Sequence, residues 1–217
     1  MPIAVDRVVK RFEKKSESLS SVPELVDFAF SFSSFGISAK PVQNRSEIIE
    51  FCELLKAKRV ASLLEIGTDR GGTLFLLSRI AGPTATIVSV NLPYSSLNAW
   101  CMRYRNRLYR RFALKGQRIH LLTADSHKSG TVDEVKTALH GQKLDFLFID
   151  GDHSYEGVRR DFEMYSPLVG KGGIIGLHDI TNNDTVGRYW QELKKGYKHK
   201  EIEHTKGPGL GIGLVYM

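Results

Sequence analysis

Four consecutive residues, Asp150-Gly151-Asp152-His153, put two carboxylates and an imidazole directly after the apolar run FLFI. An imidazole titrates near neutrality, so His153 can act as a general base, with neighbouring acids to orient it. A further acid, Asp179, follows His178 at the end of a second apolar run, GGIIGL. If the two runs are neighbouring strands, Asp150 and Asp179 stand side by side, within reach of His153. Two carboxylates and a histidine can hold a divalent cation through oxygen and nitrogen, with His178 as a further donor. They can equally form a hydrogen-bonded cluster that works without metal. The pattern predicts a catalytic group of Asp150, His153 and Asp179. In the metal reading it predicts a site of Asp150, Asp179 and His178.

Other polar clusters also close apolar runs. In LLEIGTDRGGT, residues 63–73, a strand runs into glycines and then a helix. Gly67 permits a tight turn and close approach of a ligand to the backbone, and Gly71 and Gly72 keep the helix N-terminus clear of side chains. The spacing is not the GxGxxG of a dinucleotide site. Glu65, inside the strand, can orient backbone groups or hold a ligand's ammonium through water. Asn91 closes the next run, where folds of this type usually carry an acid for the two ribose hydroxyls. Its amide can donate one bond and accept another but lacks the charge. Asp125 and Ser126 follow a third run, where an acid can accept from the amino group of a base; both residues are also good helix caps.

The elements that must position these residues alternate in type. Val5–Lys15, Pro23–Phe32 and Ser46–Lys56 read as helices, the last capped by Ser46, with a turn over Gly36–Pro41. From Val60 onward, apolar runs at VASLLEIG, ATIVSVN, RIHLLTAD, LDFLFID and GGIIGLHD alternate with helical stretches, and GLGIGLVYM closes the chain as a strand. Such alternation predicts an α/β fold with a parallel sheet covered on both faces and ligands bound beyond the carboxyl ends of the strands. Leu97–Leu114 reads as a long helix with an apolar stripe of Leu97, Cys101, Tyr104, Leu108 and Phe112. Its arginines read as a solvated basic face, so no nucleic-acid partner is expected despite the formal net charge of +7. Hydrophobic residues make up 41% of the 217, enough for a sizeable core. Cys52 and Cys101 lie in no metal-binding pattern and read as reduced thiols. The charged N-terminus lacks a signal-peptide core and no apolar stretch suits a bilayer, so a cytoplasmic protein is expected.

LLEIGTDRGGTL resembles the first motif of class I S-adenosylmethionine (SAM)-dependent methyltransferases. FLFIDGDHSYEGVRRDFEMYSPLVGKGGIIGLHDI closely resembles the branch with cephalosporin-hydroxylase-like proteins and macrolide sugar O-methyltransferases. The likeness covers roughly residues 45–217. It implies a Rossmann-like doubly wound sheet of seven mostly parallel strands, the last antiparallel. Residues 1–45 would be a helical lid or dimerisation segment and 46–217 the SAM-binding domain. It implies that Glu65, Gly67, Thr68 and Gly71 surround SAM, with Asn91 near the ribose, Asp125 and Ser126 near the adenine, and Asp150 at the cofactor. Relatives that use Mg2+ hold it through the Asp150 position and an acidic pair after the next strand; here that pair is His178–Asp179, so only Asp150 and Asp179 match. The implied reaction is methyl transfer to a hydroxyl of a small or medium molecule such as a sugar or secondary metabolite. N- or C-methylation, an RNA-directed enzyme and a non-catalytic SAM-binding protein are the alternatives, and homo-oligomerisation stays open.

Overall fold

A computed structural model describes residues 2–34, 37–93, 105–204 and 210–217. Three helices come first: α1 (Pro2–Ser16), α2 (Val22–Ser31) and α3 (Arg45–Lys58). A capping box starts α2, in which the Ser21 hydroxyl accepts from the Glu24 N–H while the Glu24 side chain accepts from the Ser21 N–H. A short ribbon of β1 (Ser33–Ser34) and β2 (Ile37–Ser38) follows, where the sequence suggested only a turn. The cap of α3 is Asn44, not Ser46: the Asn44 side-chain oxygen accepts from the Ser46 N–H at 3.0 Å.

The sheet comprises β3 (Ser62–Ile66), β4 (Thr86–Asn91), β5 (Arg118–Thr123), β6 (Leu144–Ile149), β7 (Val169–His178), β8 (Lys198–Ile202) and β9 (Ile212–Tyr216). Its order is β5-β4-β3-β6-β7-β9-β8. The first five in that order are mutually parallel, and β9 runs antiparallel to both β7 and β8. β8 has no counterpart in the strand reading of the sequence. Its residues KHKEI are mostly charged and exposed, as suits an edge strand, and carry no apolar run. The remaining helices are α4 (Gly72–Ile80), α5 (described over residues 105–109), α6 (Ser129–Ala138), α7 (Tyr155–Tyr165) and α8 (Val186–Leu193). Leu97, Cys101 and Tyr104 of the expected long helix lie outside the described residues, while Leu108 and Phe112 are buried as expected. No helix among the described residues is long and apolar enough to cross a membrane.

Both faces of the sheet are covered. Along β6, Phe146 and Phe148 point into one hydrophobic cluster with side chains of α1 to α4, while Leu147 and Ile149 point into another with α6, α7 and α8. That two-sided burial is why the central strands are continuously apolar rather than alternating. The chain leaves β3 for β4 and β5 on one side and then crosses back to β6 on the other. The order therefore reverses between β3 and β6, and this is where a crevice opens at the strand ends.

The N-terminal helices are held by aromatic packing. The rings of Phe28, Phe32, Phe75 and Phe112 all lie with centroids within 5.1 Å of the Phe12 ring, which is fully buried. Phe12→Ala should cost about 3–5 kcal/mol by loss of transfer energy and cavity formation. Urea unfolding measures this; a loss below about 1 kcal/mol would mean that α1 is peripheral to the fold.

Candidate active site

A cleft of about 320 Å³ opens at the carboxyl ends of β3, β4, β5 and β6, its walls including Gly67, Asn91, Asp125, Ser126, Asp150 and His153. Its narrow base is set by backbone proximity. Gly67 has φ +101°, and a Cβ there would fall on the Asp150 carbonyl. The Asp150 N–H donates to the Ile66 carbonyl at 2.8 Å, so β3 carries the position of Asp150 directly. On the β5 side, α7 grips the turn after the strand. The Arg160 guanidinium donates to the His127 carbonyl at 2.9 Å, and the Tyr165 hydroxyl to the Ser126 carbonyl at 2.8 Å. The Asn91 side-chain oxygen is already used, accepting from the Thr68 N–H at 3.2 Å.

Beside the cleft, β6 and β7, adjacent parallel strands, end on a cluster of acids and imidazoles. His153 Nδ1 is hydrogen-bonded to Asp179 Oδ2. His178 Nδ1 lies 3.1 Å from Asp150 Oδ1 and 3.1 Å from Asp179 Oδ1. Two acids and two imidazoles therefore alternate in space. The bond to Asp179 raises the His153 pKa, with burial acting against it. Burial alone would lower the His178 pKa, but the Asp150 and Asp179 charges outweigh it and the net shift is upward. Burial would raise the Asp179 pKa, but the His153 bond and the His178 charge bring it below the ordinary value. Asp179 also has φ +60°, a left-handed conformation that Asp tolerates better than most side chains.

The residues singled out from the sequence take different places. Gly67, Asn91, Asp125, Ser126, Asp150 and His153 line the cleft. Gly71 does not: its φ is +74° and the space a Cβ would need is filled by the Tyr109 ring. Gly72 likewise makes room for the backbone of residues 39–41 rather than for a ligand. Thr68 is buried, its hydroxyl 2.6 Å from that of Ser89. Among the described residues, ligand-type atoms of Asp150, His153 and Asp179 lie within 4.8 Å of one another, while His178 bridges the two carboxylates through Nδ1. Asp152 turns toward α7, accepting from the Ser154 N–H at 2.9 Å over the bare Cα of Gly157. One residue escaped sequence reasoning altogether. Gln43, buried ahead of α3, donates from Nε2 to Asp150 Oδ2 at 2.6 Å. A single glutamine in a loop carries no pattern that could have flagged it.

A family profile described as "Methyltransferase domain" matches residues 64–180, just over half of the chain. Among solved structures, the chain is similar to an O-methyltransferase from Bacillus cereus in complex with SAH, the demethylated form of SAM. The TM-score is 0.59 and the identity 18%, over 98% of this chain and 100% of that one. It is also similar to the MycE methyltransferase from the mycinamycin biosynthetic pathway, in complex with Mg and SAH. There the TM-score is 0.55 and the identity 15%, over 90% of this chain and 54% of the other. An uncharacterized protein of Acanthamoeba polyphaga mimivirus is 28% identical over 120 residues, 54% of this chain and 50% of its own. The chain thus spans half the length of that curated relative and 18% of a second, from Sinorhizobium fredii.

Beneath the cleft floor, Glu65 is fully buried in β3. The Ser89 hydroxyl donates to its Oε2 at 2.6 Å, while Oε1 has no hydrogen-bond partner. Burial pushes its pKa up to about 8; the Ser89 bond opposes the shift and the charge of Asp150 adds to it. Between the ordinary carboxyl pKa and about 8, the folded protein keeps a proton that the unfolded chain has released. Stability must then fall as pH rises through that window. Glu65→Gln removes the titration and keeps an oxygen for Ser89. The stability of the variant relative to wild type should rise between about pH 5 and pH 8, read by urea unfolding at both. A difference independent of pH would refute the raised pKa.

Proposed function

The chain belongs to the Methyltransferase domain family, and we propose that it transfers the methyl group of SAM to a hydroxyl oxygen of a small or medium-sized molecule. The observation that carries this reading is the cluster of Asp150, His153 and Asp179 beside a cleft of about 320 Å³ that Asp150 and His153 help to line. A cleft of that size suits a nucleoside-sized ligand. Gly67 lines this cleft, and its missing Cβ lets the Asp150 carbonyl close in beside it. Asn91, Asp125 and Ser126 supply the polar groups toward a ribose and a base, and Glu65, Thr68 and Gly71 hold the turn from behind. The SAH in the similar Bacillus cereus and MycE structures supports this assignment.

SAM brings an activated methyl on a sulfonium, so the protein's task is to hold the acceptor in line and remove its proton. His153 has Nδ1 committed to Asp179, which leaves Nε2 as the nitrogen for the acceptor hydroxyl. Asp179 fixes the ring and favours its charged form once the proton has arrived. The donor set of Asp150, Asp179 and His153 also fits a divalent cation, which would supply stabilisation of the acceptor oxygen as it loses its proton. The Mg in the similar MycE structure supports that variant of the reading. Residues 1–45 are read as the segment that closes the acceptor side, because Gln43 reaches Asp150 and residues 39–41 pack on Gly72.

Calorimetry with SAH tests the cleft: wild type should bind and folded Gly67→Val should not. A screen for SAM-dependent mass gain then supplies the acceptor. Asp150→Ala, Asp179→Ala and His153→Ala should each lower turnover by about 10²–10⁴-fold. With metal, a chelator reproduces the two aspartate losses. Without it, the chelator is inert and His153→Ala is the most damaging change. Near-normal turnover in all three variants would move the chemistry elsewhere.

A further inference from the structure

Gln43 lies outside both strands that carry the reactive cluster, yet it is 2% exposed and bonded to one of the cluster's carboxylates. Its other end is fixed as well, since the Thr73 hydroxyl donates to Gln43 Oε1 at 2.9 Å. A carboxylate offers only acceptors, so the amide must present its NH2 to Asp150 and its carbonyl to Thr73. One orientation of the amide satisfies both ends. Three segments meet through this side chain: the stretch before α3, the first turn of α4 and the end of β6. The stretch itself has little freedom, because its backbone at residues 39–41 fills the space beside Gly72. Asp150 is thereby fixed at both oxygens, Oδ2 by Gln43 at 2.6 Å and Oδ1 by His178 at 3.1 Å.

We infer that Gln43 is a positioning residue for Asp150, with Thr73 setting its amide, so that the segment before α3 determines how the carboxylate is aimed at the acceptor side of the cleft. The kinetic part of this inference rests on the methyl-transfer reading; the contact itself does not. Gln43 is not among the residues that wall the cleft. Its loss should therefore slow the reaction without weakening SAM.

Two measurements on the full chain test it. In 15N–1H spectra, the Gln43 side-chain amide pair, assigned by its disappearance in Gln43→Met, should shift clearly in Asp150→Asn. A pair that does not move would overturn the contact. With the acceptor from the mass-gain screen, Gln43→Met should lower kcat about 10–100-fold while KM for SAM stays within about threefold. Thr73→Val should lower kcat less, in the same direction, because the amide loses its orienting donor. A merely structural role would lower the melting temperature and leave kcat intact well below it; kcat within about twofold of wild type in folded Gln43→Met would overturn the inference. Should Gln43→Met fail to fold, unchanged kcat in Thr73→Val does the same. Absence of SAH binding by the wild type would count against methyl transfer, and the amide spectrum would still decide the contact.

Discussion

The approach of Gly67 to Asp150 is the constraint on which the site depends. The space a side chain at residue 67 would need belongs to the Asp150 carbonyl. With that space free, β3 and β6 can run in register to their ends, and the Ile66 carbonyl can take the Asp150 N–H. One strand end then serves two purposes. On one side it opens into the cleft shared with β4 and β5, and on the other it delivers Asp150 to the cluster formed with β7. The cleft and the acid–imidazole cluster are adjacent because the chain reverses its strand order at this pair.

Charge is handled differently on the two sides of that pair. Below the cleft, Glu65 has one donor and a wholly buried carboxyl, so burial dominates and the proton is retained. At the ends of β6 and β7, acids face imidazoles, and the interaction between them outweighs burial for His153, His178 and Asp179 alike. Two buried acids, Glu65 in β3 and Asp179 at the end of β7, thus favour opposite protonation states. The difference comes from the partners each one faces, not from depth alone.

Much of this was legible in the sequence, for physical reasons. Strands buried on both faces must be continuously apolar, and FLFI and GGIIGL announce themselves in that way. Polar residues that end such runs fall at the strands' carboxyl ends, so Asp150, His153 and Asp179 could be named together before their proximity was known. β8 escaped because an exposed edge strand needs no apolar run, and KHKEI has none. The helix-opening glycines were located correctly, but their reason is different: Gly71 yields to Tyr109 and Gly72 to residues 39–41. Partners so distant along the chain leave no local trace. Gln43 is the extreme case, 107 positions from the carboxylate it holds.

The antiparallel strand β9 lies between β7 and β8, so the segment nearest the C-terminus is an interior slat of the sheet and not its trim. During synthesis, β7 and β8 emerge with their facing edges bare and must wait for β9 to fill the gap. The direction of β9 matters too. It starts with Ile212 beside His178, at the cleft end of the sheet, and finishes with Tyr216 beside Ile174, at the other end. Anything joined after residue 217 would leave from the rim opposite the cleft, clear of the entrance that a ligand must use.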